Sequence, residues 1–232
     1  MPSHLKDTFT EFCASISGAE RIDALPIPPY APDRADVFFA NRRVICEIKA
    51  LETDTNDKIV RLLNKEGISL PEGQHVLTEV VKGHPSASSL ERKAFAAVTA
   101  PVSRALEKAN SQIRDTKTIF GIDDADGIVV FLHGSVHVLT PDVILARVRQ
   151  RLRKRHETTR SGPAHDQITW VILFSELHAV KLYDGLVAPI IPLRNAEVPE
   201  KFGSGAIVDH LIAGWADWNR RPMQVVHASA LR

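Results

Sequence analysis

The stretch RADVFFANRRVICEIKALE, residues 34–52, constrains the fold more than any other part of the chain. Two runs rich in β-branched and aromatic residues flank Asn41-Arg42, and Asn tolerates the left-handed backbone that a two-residue hairpin turn needs. With that pair as the turn, Ala40 opposes Arg43, Phe39 opposes Val44, and Asp36 comes to oppose Glu47. Cross-strand neighbours share a face with Cβ atoms about 5 Å apart. Lys49, two residues beyond Glu47, shares that face roughly 7 Å along. Val37, Phe39, Val44, Cys46 and Ile48 then form an apolar surface on the other side. One register therefore buries the hydrophobes and gathers two acids and a lysine, and a slip of one residue would bury the charges instead.

Two carboxylates side by side repel. A hard divalent cation removes the conflict, since Mg²⁺ is commonly held by one or two carboxylates, water and substrate phosphate. A lysine beside such an ion can orient a water or neutralise charge in a transition state. A simpler reading stands next to this one: Asp36 starts a strand at the surface, while Glu47 and Lys49 face solvent and each other.

The rest of the chain supplies a layered frame. Leu5, Phe9, Phe12, Cys13 and Ile16 recur at helical spacing over 4–17, and Gly18 supplies a stop. A short strand is expected near 20–27. Thr53–Lys65 reads as a helix with Ile59, Leu62 and Leu63 inward. Residues 67–88 read as loop with a strand at His75–Val81. A long helical pattern follows over Leu90–Ala100 and Pro101–Thr118, which Pro101 is expected to kink or split. Val102, Leu106, Ala109 and Ile113 form its buried stripe. GIVVFLHGSVHVL (127–139) reads as a strand, a Gly-Ser turn and a partner strand. A helix over 140–156 opens on Thr140 and Pro141, and ITWVILFSE reads as a central strand. AVKLYDGLVAPII adds an edge hairpin, and a last helix covers Ala206–Trp218. Strands alternating with helices argue for an α/β fold with a mixed sheet.

With 232 residues, 44% of them apolar, the chain is long enough to bury a core as one domain. No boundary is evident, and 51–100 reads as an insertion. A net charge of +1 predicts no global attraction to nucleic acid, so such binding would need a local basic patch. Cys13 and Cys46 read as reduced core residues. No apolar run is long enough to span a membrane and no signal-peptide pattern opens the chain, so the expectation is a cytoplasmic protein.

Asp36, the apolar strand after it and Glu47-Ile48-Lys49 resemble the core signature of the PD-(D/E)XK nuclease superfamily. The order of helix, three strands, helix and strand over about residues 1–135 is similar to that core, leaving 136–232 as an elaboration. The resemblance implies a restriction-endonuclease-like three-layer fold with a mixed central sheet flanked by helices. It also implies a Mg²⁺-dependent nuclease, with Mn²⁺ substituting. Asp36, Glu47 and the carbonyl of Ile48 would be metal ligands, and Lys49 catalytic. Asp33, of Pro32-Asp33, precedes the strand, and the register favours Asp36. Some members carry a glutamate on the first helix, for which Glu11 and Glu20 are the alternatives. Others carry a glutamine on the helix after the motif, where Gln112 either reaches the site or faces solvent.

RVRQRLRKRH (147–156) would show Arg149, Arg151, Arg153, Lys154 and Arg155 on an outer face. Such a face either contacts phosphates, with affinity that falls as salt rises, or is a solvated helix end whose cations favour the dipole. IDDADG (122–127) lacks the spacing of a calcium loop, and His133 and His137 lie across a turn and not on one helix face. The expected activity is endonucleolytic cleavage of DNA, in bacterial defence or DNA repair by analogy, with dimerisation compatible with double-strand cutting. The alternatives are an inactive nuclease-like module that binds nucleic acid or protein, and an assembly component whose three charges form a surface network.

Overall fold

The computed structural model describes residues 4–26, 32–53, 56–68, 84–155, 162–182, 185–220 and 222–226. Helix α1 (His4–Ser15) carries the apolar spacing of its sequence, and Gly18, at φ 78°, turns the chain away from it. The first strand, β1 (Glu20–Arg21), is shorter than expected, because a 3₁₀ turn at Ile22–Ala24 follows at once. Strands β2 (Val37–Phe39) and β3 (Val44–Ala50) form the hairpin in the expected register, Val37 opposite Cys46 and Phe39 opposite Val44. Its turn has φ of 54° at Asn41 and 66° at Arg42, closed by the Arg43 amide donating to the Ala40 carbonyl. Ala40 is left-handed as well, at φ 50°, and the Arg43 carbonyl accepts from the Asp126 amide of the next strand, so the loop comprises residues 40–43 and is wider than the expected two-residue turn.

Helix α2 (Asn56–Lys65) packs through Leu63 against Leu90 of α3 (Ala87–Phe120). The expected strand at His75–Val81 lies outside the described residues. Pro101 does not split α3, which continues through it as one helix of 34 residues. Proline costs an interior helix about 3 kcal/mol, and burial of Val98, Val102, Leu106, Ala109 and Ile113 in one core offsets that cost. Gly121, in the left-handed region at φ 65°, ends the helix.

After α3 come β4 (Asp126–His133), α4 (Pro141–Leu152), β5 (Trp170–Ser175), β6 (Val180–Leu182), β7 (Gly185–Arg194), α5 (Ser204–Asn219) and β8 (Met223–Val225). The expected partner strand after His133 does not form. Strand β4 already pairs in parallel with β3 on one side and β5 on the other, which leaves no edge for a hairpin partner. Residues 134–139 instead turn and bury Val136 and Leu139.

The sheet runs β1-β2-β3-β4-β5-β7-β6, and β8, not anticipated from the sequence, pairs in parallel with β7. The β6–β7 hairpin forms as expected, but β7 also pairs with β5 and is no edge strand. The sheet is mixed: β3, β4 and β5 are parallel, while the β1–β2, β2–β3 and β5–β7 pairs are antiparallel. Helices α1 and α5 cover one face through Phe9, Phe12, Leu211 and Trp215. Helices α3 and α4 cover the other through Val102, Leu106, Ile144 and Val148. This is a three-layer α/β architecture. No helix among the described residues is long and apolar enough to cross a membrane.

Candidate active site at the end of β3

Alternation along β3 sends Val44, Cys46 and Ile48 into the α1–α5 core and Ile45 into the α3–α4 core. Glu47 follows Ile45 by two residues and so is carried to the α3 side, beside Val129 of β4. It is fully buried, at 0% exposure. Lys49 stands on the same face with its Nζ 2.5 Å from Glu47 Oε1. That ion pair lacks the alignment of a hydrogen bond, and Glu47 Oε2 has no hydrogen-bond donor among the described residues. Burial pushes the Glu47 carboxyl up to about 8 from 4.5, and Asp36 adds to the rise, while Lys49 and Lys6 oppose it.

Gln112, in the C-terminal third of α3, turns inward and completes the cluster. Its Oε1 accepts from Lys49 Nζ at 2.5 Å, and its Nε2 donates to the Arg34 carbonyl at 2.8 Å. Lys49 is thus held between a carboxylate and an amide that is itself tethered to the segment entering β2. The solvent-facing alternative for Gln112 does not occur.

Asp36 departs from the simple hairpin geometry. The paired ladder stops at Val37, and the Asp36 amide donates to the Cys46 carbonyl, one residue away from the position opposite Glu47. Its carboxylate lies along the end of the sheet and does not stand over Glu47: Asp36 Oδ2 accepts the Ile48 amide at 2.7 Å. The two backbone polar groups of a strand residue point to the same side. The Ile48 carbonyl therefore points past Val37, the first residue of β2, on the Asp36 side.

This turn of Asp36 brings it within reach of α1. Lys6 Nζ lies 3.0 Å from Asp36 Oδ1 and 3.2 Å from Oδ2. Sequence reasoning missed Lys6. The only local signal is that it falls one helical turn before Thr10, on the flank of the apolar stripe. Of the glutamates considered, Glu11 is exposed and Glu20 pairs with Arg42 near the hairpin tip, at 2.6 Å. Asp33 pairs with Lys108, also at the surface, at 2.9 Å.

A cleft of about 370 Å³ opens at this end of the sheet, between α1 and α3. Thr10, Asp36, Gln112, Arg34 and the Asp33–Lys108 pair are among its walls. It lies beyond the carboxyl end of β3, where ligands bind in open α/β sheets. Asp36 and Gln112 face the cleft, and Glu47 lies buried on the strand beneath.

The residues fit a divalent cation. Glu47 Oε2 is a buried carboxyl oxygen with no donor, and a carboxyl group so placed wants a proton or a cation. Among the described residues no three His, Cys, Asp or Glu side chains converge to hold a metal. An ion here would find two carboxylates, those of Glu47 and Asp36, and leave its remaining positions to water and substrate, as Mg²⁺ prefers.

At the ends of the next two strands lies a second polar group. His133, fully buried, donates from Nε2 to the Val136 carbonyl at 2.8 Å and places Nδ1 3.2 Å from Ser175 Oγ. It stacks on His178 at 5.3 Å, and burial pulls both imidazoles below the ordinary histidine value.

The basic stretch of α4 is partly neutralised. Arg151 pairs with Glu107 of α3, and Arg155 with Glu197 at 2.8 Å. Lys154 is engaged as well. Arg149 is half-buried and Arg153 exposed, and neither has an ion-pair partner among the described residues.

Comparison of the chain with family models, with curated proteins and with solved structures finds no match.

Proposed function

We propose that the protein is a metal-dependent nuclease of restriction-endonuclease-like fold that hydrolyses phosphodiester bonds in DNA. The observation that carries this reading is the arrangement around β3. A fully buried carboxyl group with no donor on Oε2, a second carboxylate at the sheet end and a lysine braced by Gln112 lie together, and Asp36 and Gln112 of this group line an open cleft. The helix–three strands–helix–strand order of α1, β1–β3, α3 and β4 supports the fold assignment.

In this reading Asp36, Glu47 and the Ile48 carbonyl hold Mg²⁺, or Mn²⁺ in its place. The bound ion supplies Lewis acidity toward the phosphoryl group and lowers the pKa of a water. The chain's own groups do the rest. Gln112 fixes the Lys49 ammonium, so that its charge faces the anion developing on the phosphate without reorganisation. The Arg34 carbonyl fixes Gln112 in turn. Arg149 of α4 and Arg153 just beyond its end remain for DNA phosphates, so they set a salt dependence and no base readout.

A second reading, a nuclease-like module that binds nucleic acid without cutting it, draws on one observation: each carboxylate already has an ammonium, Lys6 on Asp36 and Lys49 on Glu47. Incubation with supercoiled plasmid, single-stranded DNA and RNA in Mg²⁺, Mn²⁺ or EDTA separates the two. The nuclease reading expects metal-dependent DNA cleavage that Glu47→Gln and Lys49→Ala abolish. Unchanged cleavage in those variants would sink the site, and retention of DNA without cleavage would favour the binding module.

A further inference from the structure

Two ammonium groups face the two carboxylates at the end of β3, and they are held very differently. Lys49 has 14% of its side chain exposed and is gripped by both Glu47 and Gln112. Lys6 comes from the first turn of α1, has 34% of its side chain exposed and forks onto both oxygens of Asp36. Asp36 is itself 21% exposed and fixed from behind by the Ile48 amide. The carboxylate cannot turn away without releasing that amide, so the oxygens it offers the cleft are those that Lys6 covers. Lys6 is also close enough for its field to act on Glu47.

We infer that Lys6 is a built-in counter-ion of Asp36, which a divalent cation must displace in order to bind. The inference rests on the metal site proposed above. An ammonium and a divalent ion compete for the same lone pairs, and they repel each other at a few ångströms. Of the two lysines, Lys6 is the one able to give way, because its more exposed ion pair is held by little net energy. Once displaced it remains one helical turn from Thr10 of the cleft wall, where a phosphate oxygen can take the place of Asp36 as its partner. Cation binding at Asp36 and phosphate binding at the cleft therefore assist each other: each removes a competitor of the other.

The test is a titration of the full chain with Mn²⁺, following free Mn²⁺ by electron paramagnetic resonance with no nucleic acid present. Lys6→Met is expected to bind Mn²⁺ about tenfold more tightly than the wild type, from loss of both competition and repulsion. Lys6→Arg, which keeps the charge, is expected to stay near the wild type. Circular dichroism confirms that each variant is folded, and if Lys6→Met does not fold, Lys6→Gln serves in its place. Equal or weaker binding after removal of the charge, at a site that Glu47→Gln still abolishes, would overturn the role of Lys6 and leave the metal site standing. Absence of Glu47-dependent Mn²⁺ binding in every variant would overturn both.

Discussion

Neighbouring strand ends on one side of the sheet bury polar groups in opposite ways. At the ends of β4 and β5, His133 uses both ring nitrogens, one on the Val136 carbonyl and one beside Ser175. At the end of β3, Glu47 is equally buried and leaves Oε2 without a donor. Buried polar groups in native proteins are nearly always satisfied, so a satisfied one needs only a structural account. An unsatisfied carboxylate costs stability and calls for something that offsets the cost when it arrives. Both regions are polar and both lie at strand ends, but His133 has a partner for each ring nitrogen, whereas Glu47 Oε2 and Nε2 of the neighbouring His178 have none among the described residues.

Variants can break this contrast, and the largest expected effect is catalytic. Lys49→Ala should lower the rate of plasmid cleavage per folded molecule roughly 10²–10⁴-fold, with some loss of stability because buried Glu47 loses its ammonium. His133→Ala should act on stability alone. Loss of a buried, doubly bonded imidazole should cost about 2–4 kcal/mol in urea denaturation, with cleavage per folded molecule unchanged. A rate loss in His133→Ala with full stability would mean that the two clusters form one site.

A smaller effect separates the regions by pH. The Glu47 carboxyl is raised to about 8 in the folded chain from 4.5. Between those values the native state keeps a proton that the unfolded chain has released, so unfolding releases a proton and stability falls as pH rises. In EDTA the wild type should lose about 2 kcal/mol between pH 6 and 8 from this group, because releasing one proton is worth about 1.4 kcal/mol for each step of one in pH. Glu47→Gln should remove that share of the slope. Parallel pH profiles of the two proteins would show that Glu47 does not hold the proton. The smallest effect belongs to Gln112→Ala, which should slow cleavage about tenfold by unbracing Lys49. Mn²⁺ affinity should stay unchanged, because Gln112 bonds to Lys49 and the Arg34 carbonyl and to neither carboxylate.

The hairpin was legible because period-two alternation leaves only one register that buries Val37, Phe39, Val44, Cys46 and Ile48 together. The α3 stripe was legible for the same reason at period 3.6, and with it the position of Gln112 on the flank of that stripe. Sequence did not reveal what depends on distant partners. Residues 136–139 carry strand-like apolar residues, yet no sheet edge was left to receive them. Pro101 is a strong local breaker, but the apolar face on both sides of it outweighs the break. The turn of Asp36 onto the Ile48 amide, and with it the approach of Lys6, depends on how α1 crosses the sheet end, which no local pattern encodes.

The bond from the Ile48 amide to Asp36 makes position 36 part of the scaffold as well as the site. Its carboxylate takes the place of the next strand residue, finishing the pairing of β3 where β2 runs out. Asparagine keeps an oxygen for that amide and alanine does not. The pair Asp36→Asn and Asp36→Ala therefore splits the residue's two duties, since only the second also unties the end of the sheet. A chain with this arrangement has tied its chemistry to its architecture, so drift at position 36 loosens the edge on which the neighbouring acid and lysine are mounted.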